Sequence, residues 1–268
     1  MEIHTRLLQS TILAVGVAIL SPLAAAAPVP DPVAGDLYVG FRVSGGIGGS
    51  TSYIVKLGLD TSFPTTPGTS FTLSLGNLGL DLTQTFGPDW DTREDLFWGI
   101  FGERPNGGNP IVYGSRERLN PDEPSVAWPA LDLNGRNNID SQINSVLSGI
   151  GGYRGSEATA NSLVGTFQTN SGQASSYFFQ VATPGTTDFG SLSQWGSIEG
   201  SFGDGADGTV LDLYRIAGSG VTQRGSFSID DQGLITYAVV PEPRSAVALS
   251  VTGALLTGFL RRRKTVTA

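Results

Sequence analysis

The chain of 268 residues contains no cysteine, and its single histidine and single methionine are His4 and Met1, so residues 5–268 hold none of the three. Without cysteine there is no disulfide framework, and stability has to come from burial. Without histidine or cysteine the body has no Ser-His-Asp or Cys-His nucleophile. It also has no His- or Cys-ligated zinc, copper or haem. Positive charge is scarce as well. Between Ala27 and Val240 there are ten Lys and Arg against twenty-two Asp and Glu, a net charge near −12. Such a body excludes nucleic acid as a partner, because phosphate backbones need clustered cations. It favours solubility and is compatible with divalent cations.

What is abundant is glycine, with 37 residues. Residues 27–240 number 214, enough for one sizeable core. Leu37, Val39, Phe41 and Val43 alternate with Tyr38, Gly40, Arg42 and Ser44, the period of a half-buried strand. Further strands are expected at 52–59, 71–75, 95–101, 111–114, 162–168, 175–181, 209–216, 225–229 and 234–239. The stretch 95–101 (DLFWGIF) is apolar on both faces and reads as a central, covered strand. Residues 230–233 (DDQG) form the turn of a hairpin. Gly45, Gly46, Ile47, Gly48 and Gly49 make a turn between two strands, not a phosphate cradle, because no helix follows. One helix is expected over 141–148, capped by Asn138 or Asp140 and ended by Gly149, with Ile139, Ile143, Val146, Leu147 and Ile150 as its apolar face. The expected fold class is mainly β: an antiparallel β-sandwich of the jelly-roll or lectin-like kind with one short helix.

Both ends differ from this body. A basic start around His4 and Arg6 leads into an apolar run over 7–20, then Pro22 and a small-residue stretch. These are the three parts of a secretory signal peptide, with Ala24 and Ala26 fitting the A-x-A pattern and the cut expected after Ala26. At the other end, 245–260 (SAVALSVTGALLTGFL) has no charge and is followed by Arg261, Arg262, Arg263 and Lys264. Sixteen helical residues reach roughly 24 Å, against a bilayer core of about 30 Å. The expected span is therefore short and draws in its flanks. Its cations belong on the cytoplasmic side, which puts residues 27–240 outside the cytoplasm, where the signal peptide would also deliver them.

Val240, Pro241, Glu242 and Pro243 stand just before that span. Two prolines fix φ and remove two donors, so the segment cannot join a sheet or a helix and stays extended. Val-Pro-Glu-Pro, a short apolar span and a terminal Arg cluster together resemble a PEP-CTERM sorting domain. One departure is Arg244, where a small residue is commoner. The resemblance implies processing by an exosortase, a membrane-embedded Cys-dependent protease or transpeptidase of Gram-negative bacteria that make exopolysaccharide. It implies recognition through Pro241, Glu242 and Pro243, and a cytoplasmic stop at Arg261, Arg262, Arg263 and Lys264. It covers about the last thirty residues. The body loosely resembles β-rich proteins of the same group at 95–99 and 225–237.

Three constellations in the body have chemical potential. Asp89, Asp91, Glu94 and Asp95 cluster around Trp90, and paired carboxylates can hydrolyse glycosides or bind calcium. The plainer reading is a solvated acidic loop. Asp204 and Asp207 alternate with glycines but lack the spacing and terminal Glu of a calcium loop, so a turn is expected there. Trp90, Trp128, Trp195 and Tyr153 can stack on sugars, although tryptophan in a β domain is usually core. The expected function is that of an exported, non-catalytic envelope or matrix protein, without a cofactor. Its expected partners are signal peptidase, an exosortase-type enzyme, the membrane through 245–260, and exopolysaccharide. The alternatives are a carboxylate-dependent glycoside hydrolase and a calcium-dependent carbohydrate-binding module.

Overall fold

Period-two alternation builds the first hairpin of the computed structural model, which describes residues 32–120, 123–153, 165–168, 172–202 and 209–239. Strands β1 (Asp36–Val43) and β2 (Ser52–Leu59) pair antiparallel, and Leu37, Val39, Phe41, Val43, Tyr53, Val55 and Leu57 share one face. The opposite face of β1 was expected to be solvated. Tyr38 and Gly40 are instead buried on it, so this strand is covered on both sides. The reason is a helical layer that the alternation of β1 alone does not reveal.

The remaining strands are β3 (Ser70–Thr72), β4 (Leu96–Arg104), β5 (Ile111–Glu117), β6 (Gly165–Gln168), β7 (Glu199–Ser201), β8 (Val210–Ala217), β9 (Gly220–Ile229) and β10 (Ile235–Ala238). Among the described residues every pairing is antiparallel, in the order β3-β10-β9-β8-β5-β4-β1-β2-β6, with β7 added onto β4. The protein is therefore mainly β and antiparallel. Its strands form one continuous sheet, curled into a half-barrel so that Tyr53 of β2 and Tyr237 of β10 belong to the same apolar cluster. Among the described residues there are three α-helices where one was expected: α1 (Leu78–Phe86), α2 (Leu133–Tyr153) and α3 (Tyr177–Ala182). No helix among the described residues is long and apolar enough to cross a membrane.

Helix α1 closes the concave cluster with Leu78, Leu82 and Phe86, and Asn77 caps it by accepting from the Leu80 N–H at 3.3 Å. Helix α2 is 21 residues long and starts eight residues before the expected 141, because Asp132 accepts from the Gly135 N–H at 2.7 Å and serves as the cap. Asn138 and Asp140 lie inside it, and it runs on past Gly149. Its expected apolar face is correct: Ile139, Ile143, Val146, Leu147 and Ile150 pack on Tyr38, Ile54, Phe101 and Val112 of the convex sheet face. The segment 175–181 was expected to be a strand. Ser176 accepts from the Phe179 N–H at 3.1 Å and caps α3, and Tyr177, Gln180 and Val181 point inward at helical spacing. The sheet already has its strands there, and the aromatic run serves better as a cover.

Strand β4 is the covered central strand that its apolar faces imply. Midway along it the sheet forks. Phe101–Arg104 pair with β5, and Phe97–Gly99 pair with β7. Ser115, fully buried, fills the fork: its hydroxyl accepts from the Ile100 N–H at 2.7 Å and donates to the Ile198 carbonyl at 2.6 Å. The hairpin turn at 230–233 forms as expected, with Gly233 at φ 79° and its N–H on the Asp230 carbonyl.

Candidate functional site

Ala24, Ala26, Pro241, Glu242, Pro243, Arg261, Arg262, Arg263, Lys264 and the span 245–260 lie outside the described residues, as do Asp204 and Asp207. The folded body does show where the chain is last held. The Val239 N–H donates to the Thr69 carbonyl at 2.8 Å, and its own carbonyl accepts from the Gly68 N–H at 2.9 Å, two residues before Pro241.

The acidic loop around Trp90 is organised from within. Arg93 forks onto the Asp95 carboxylate, with both N–O distances 2.8 Å, and also donates to the carbonyls of Gly45, Ile47 and Phe86. It ties the 45–49 turn to the end of α1. The Arg93 hydrogen bond holds the Asp95 carboxyl below the usual range. Asp89 and Glu94 are exposed. Among the described residues, no three His, Cys, Asp or Glu side chains gather as a metal-binding group. Of the aromatics, Trp90 and Trp128 are each 2% exposed and belong to the two cores, whereas Trp195 is 46% exposed. The side chain of Tyr153 lies outside the described residues. A groove of about 200 Å³ runs beside Arg116, Glu117, Asn120, Glu123, Ser125 and Val126. Arg116 stacks on Trp128 and holds the carbonyls of Val126 and Trp195.

Among the buried polar assemblies on the convex face, two join residues that the sequence analysis did not single out. In the first, Arg42 of β1 forks onto Glu199 of β7 and lies between the rings of Phe97 and Phe178, 4.7 and 5.2 Å from their centroids. The Tyr177 hydroxyl donates to Glu199 at 2.9 Å. Its ring lies where side chains at Gly40 and Gly99 would stand: a Cβ on Gly40 would come within 2.6 Å of it, and one on Gly99 within 2.7 Å of its oxygen. Burial pushes the Glu199 carboxyl up, while the Arg42 charge and the hydrogen bonds from Arg42 and Tyr177 pull it down. Asp188, held at φ 49°, accepts from Ser197 and from the Ile198 N–H and fixes the approach to β7.

In the second assembly, Asp36 opens β1 with its carboxylate buried. Its Oδ2 accepts from the Val33 N–H at 2.6 Å and the Tyr38 hydroxyl at 3.2 Å, and faces Nζ of Lys56 on β2 at 2.5 Å. Its Oδ1 has no hydrogen-bond partner among the described residues. The β1–β4 register pairs Leu37 with Gly102, which sets Glu103 at the cross-strand position to Asp36 on the same face. Glu103 is 5% exposed, and its Oε2 also has no partner among the described residues. Burial, followed by the hydrogen bond and charge of Asp140 on α2, pushes the Glu103 carboxyl up to about 7. Burial, together with Asp36 and Glu103, raises the Tyr38 phenol. The group combines an amine, a carboxylate, two donors on one carboxylate oxygen and an acid raised toward neutrality. Spacing could not reveal it, because it joins residues 36, 56, 103 and 140.

These features define a mainly β domain of one curled antiparallel sheet with helices on its convex face. No family model, curated protein or solved structure matches the chain.

Proposed function

We propose that the chain is an exported, non-catalytic cell-envelope or extracellular-matrix protein, sorted through Pro241, Glu242 and Pro243. In this reading 245–260 holds it in the membrane, Arg261, Arg262, Arg263 and Lys264 stop it on the cytoplasmic side, and exopolysaccharide is its surrounding. The jelly-roll or lectin-like form of the sandwich belongs to the same proposal. The observation behind it is the order of the tail, with motif, apolar run and basic end in succession. The fold supports it, because the chain is tied down as far as Val239 and the motif begins at once beyond. A processing enzyme needs an extended, unpaired segment next to a folded body, and the two prolines supply one.

The hydrolase alternative requires two carboxyls flanking a sugar in an open cleft. Among the described residues, two interacting carboxyl pairs each have a buried member: Glu103 of the Glu103–Asp140 pair lies where α2 meets the sheet, and Asp188 and Glu199 are both buried beside β7. That favours the non-catalytic reading. The deciding experiment is intact mass and cell fractionation in hosts with and without an exosortase. Loss of the segment after the motif, with movement to the surface or matrix only where the exosortase is present, is the expected result. An unchanged mass that includes 245–268 in both hosts overturns the proposal.

A further inference from the structure

We propose that Lys56 and Asp36 condense to an intramolecular isopeptide bond between Nζ and Cγ, with Glu103 relaying the protons. This inference rests on the folded body and is independent of the sorting reading.

Lys56 is one of two lysines in the sequence, the other being Lys264 in the tail. It is placed in the manner of a buried reactant. Its side chain is 15% exposed and that of Asp36 is 1% exposed, which makes the pair costly to keep charged. Nζ stands 2.5 Å from Oδ2, and Cγ lies no more than one carbon–oxygen bond, about 1.2 Å, beyond that oxygen. Reactants held this close react as one molecule, without the entropy cost of meeting. The two oxygens of Asp36 are already distinguished. Oδ2 takes two donors, Val33 N–H and Tyr38 O–H, positioned to stabilise the oxyanion of a tetrahedral intermediate. Oδ1 is buried and has no partner among the described residues, as suits the oxygen that leaves.

The ammonium and carboxylate contain every atom the step requires. Nζ bonds to Cγ and the Cγ–Oδ1 bond breaks. Two of the three ammonium protons depart with Oδ1 as water, and the third stays on the amide nitrogen. Glu103 gives its proton to Oδ1 and recovers one from Nζ, and does so a second time for the other proton, so it ends as it began and nothing is oxidised or reduced. Its Oε2 is buried with no partner among the described residues, and burial and Asp140 push the carboxyl up to about 7, which fits an acid that holds a proton at the start. The product exchanges a buried ion pair for a neutral amide and ties β1 to β2, in a chain that has no cysteine for a disulfide.

The test is peptide mapping of the purified full chain by trypsin and mass spectrometry under denaturing conditions. The expected wild-type product is one branched species joining the peptide that ends at Arg42 to an uncut 43–93 peptide, lighter by one water, because an acylated lysine is not cleaved. Lys56→Arg keeps the cation but forms no such bond, and is expected to give separate peptides of full mass. Glu103→Gln, shown to be folded by near-UV circular dichroism, is expected to condense at least ~100-fold more slowly. A folded wild-type chain that is cut normally after Lys56 with no water lost overturns the proposal, whether or not either variant folds. A Glu103→Gln chain linked as fast as wild type overturns the role of Glu103.

Discussion

The Arg42 guanidinium and the Glu199 carboxylate meet across the fork of the sheet, with Nε 3.0 Å from both carboxylate oxygens and the pair shut in by Phe97, Phe178 and Tyr177. The two partners are not equivalent. A carboxyl deprived of its cation can take up a proton, and burial already pushes Glu199 in that direction. A guanidinium cannot release one. Glu199→Ala should therefore cost about 3–5 kcal/mol, the cost of a stranded buried charge, and Arg42→Met should cost less. Urea denaturation of the two variants checks the order.

A second expectation concerns the slot for Tyr177. Gly40→Ala should destabilise by roughly 1–3 kcal/mol, because the added methyl meets a ring fixed from both sides. The cost should fall by about 1 kcal/mol or more in a Tyr177→Ala background, where the methyl has room. Additive effects in the double-mutant cycle would contradict this account of the contact.

Glu103 gives the protein a pH dependence with a definite sign. Its folded pKa is raised from 4.5 to about 7, so between those values the folded state binds more protons than the unfolded chain. Stability is then fully present below about pH 4.5 and declines as pH rises through about 7. The loss from about pH 5 to 8 should be on the order of 2 to 3 kcal/mol, and Glu103→Gln should flatten it. Unfolding midpoints across that range read the effect directly.

Ser115→Ala tests the fork. It leaves the Ile100 N–H and the Ile198 carbonyl buried without their shared hydroxyl. Each orphaned group costs about 1–3 kcal/mol. Hydrogen exchange at Ile100 should accelerate with the loss of stability, and unchanged protection at that amide would mean the fork is held by other contacts.

Most strands were readable because period-two alternation depends on local chemistry: 52–59 matches β2, and 111–114, 209–216 and 234–239 fall on β5, β8 and β10. Strand β7 was not readable. It has three residues, Glu-Gly-Ser, and exists because Ser115 and Asp188 hold the chain against β4. The run at 175–181 was misleading because SSYFFQV fits a buried strand as well as a capped helical turn, and only the sheet beneath it decides. The polar assemblies were hidden for a topological reason. Arg42 and Glu199 are 157 residues apart, and the meeting of Asp36 with Lys56 depends on a register shift between Leu37 and Tyr38. Pairings of that kind are set by strand register, which no single segment encodes.

The glycines that make room for Tyr177 also bear on ancestry. Positions 40, 99 and 177 form one compound constraint, in which a methyl at either glycine is tolerable only if the aromatic ring shrinks or moves away. Drift should therefore change these three positions together or leave all of them alone, even after the loops between them have lost any likeness. In lineages that diverged long ago, the lasting trace of this architecture would be two absent side chains on neighbouring strands, and the ring that occupies the space they leave.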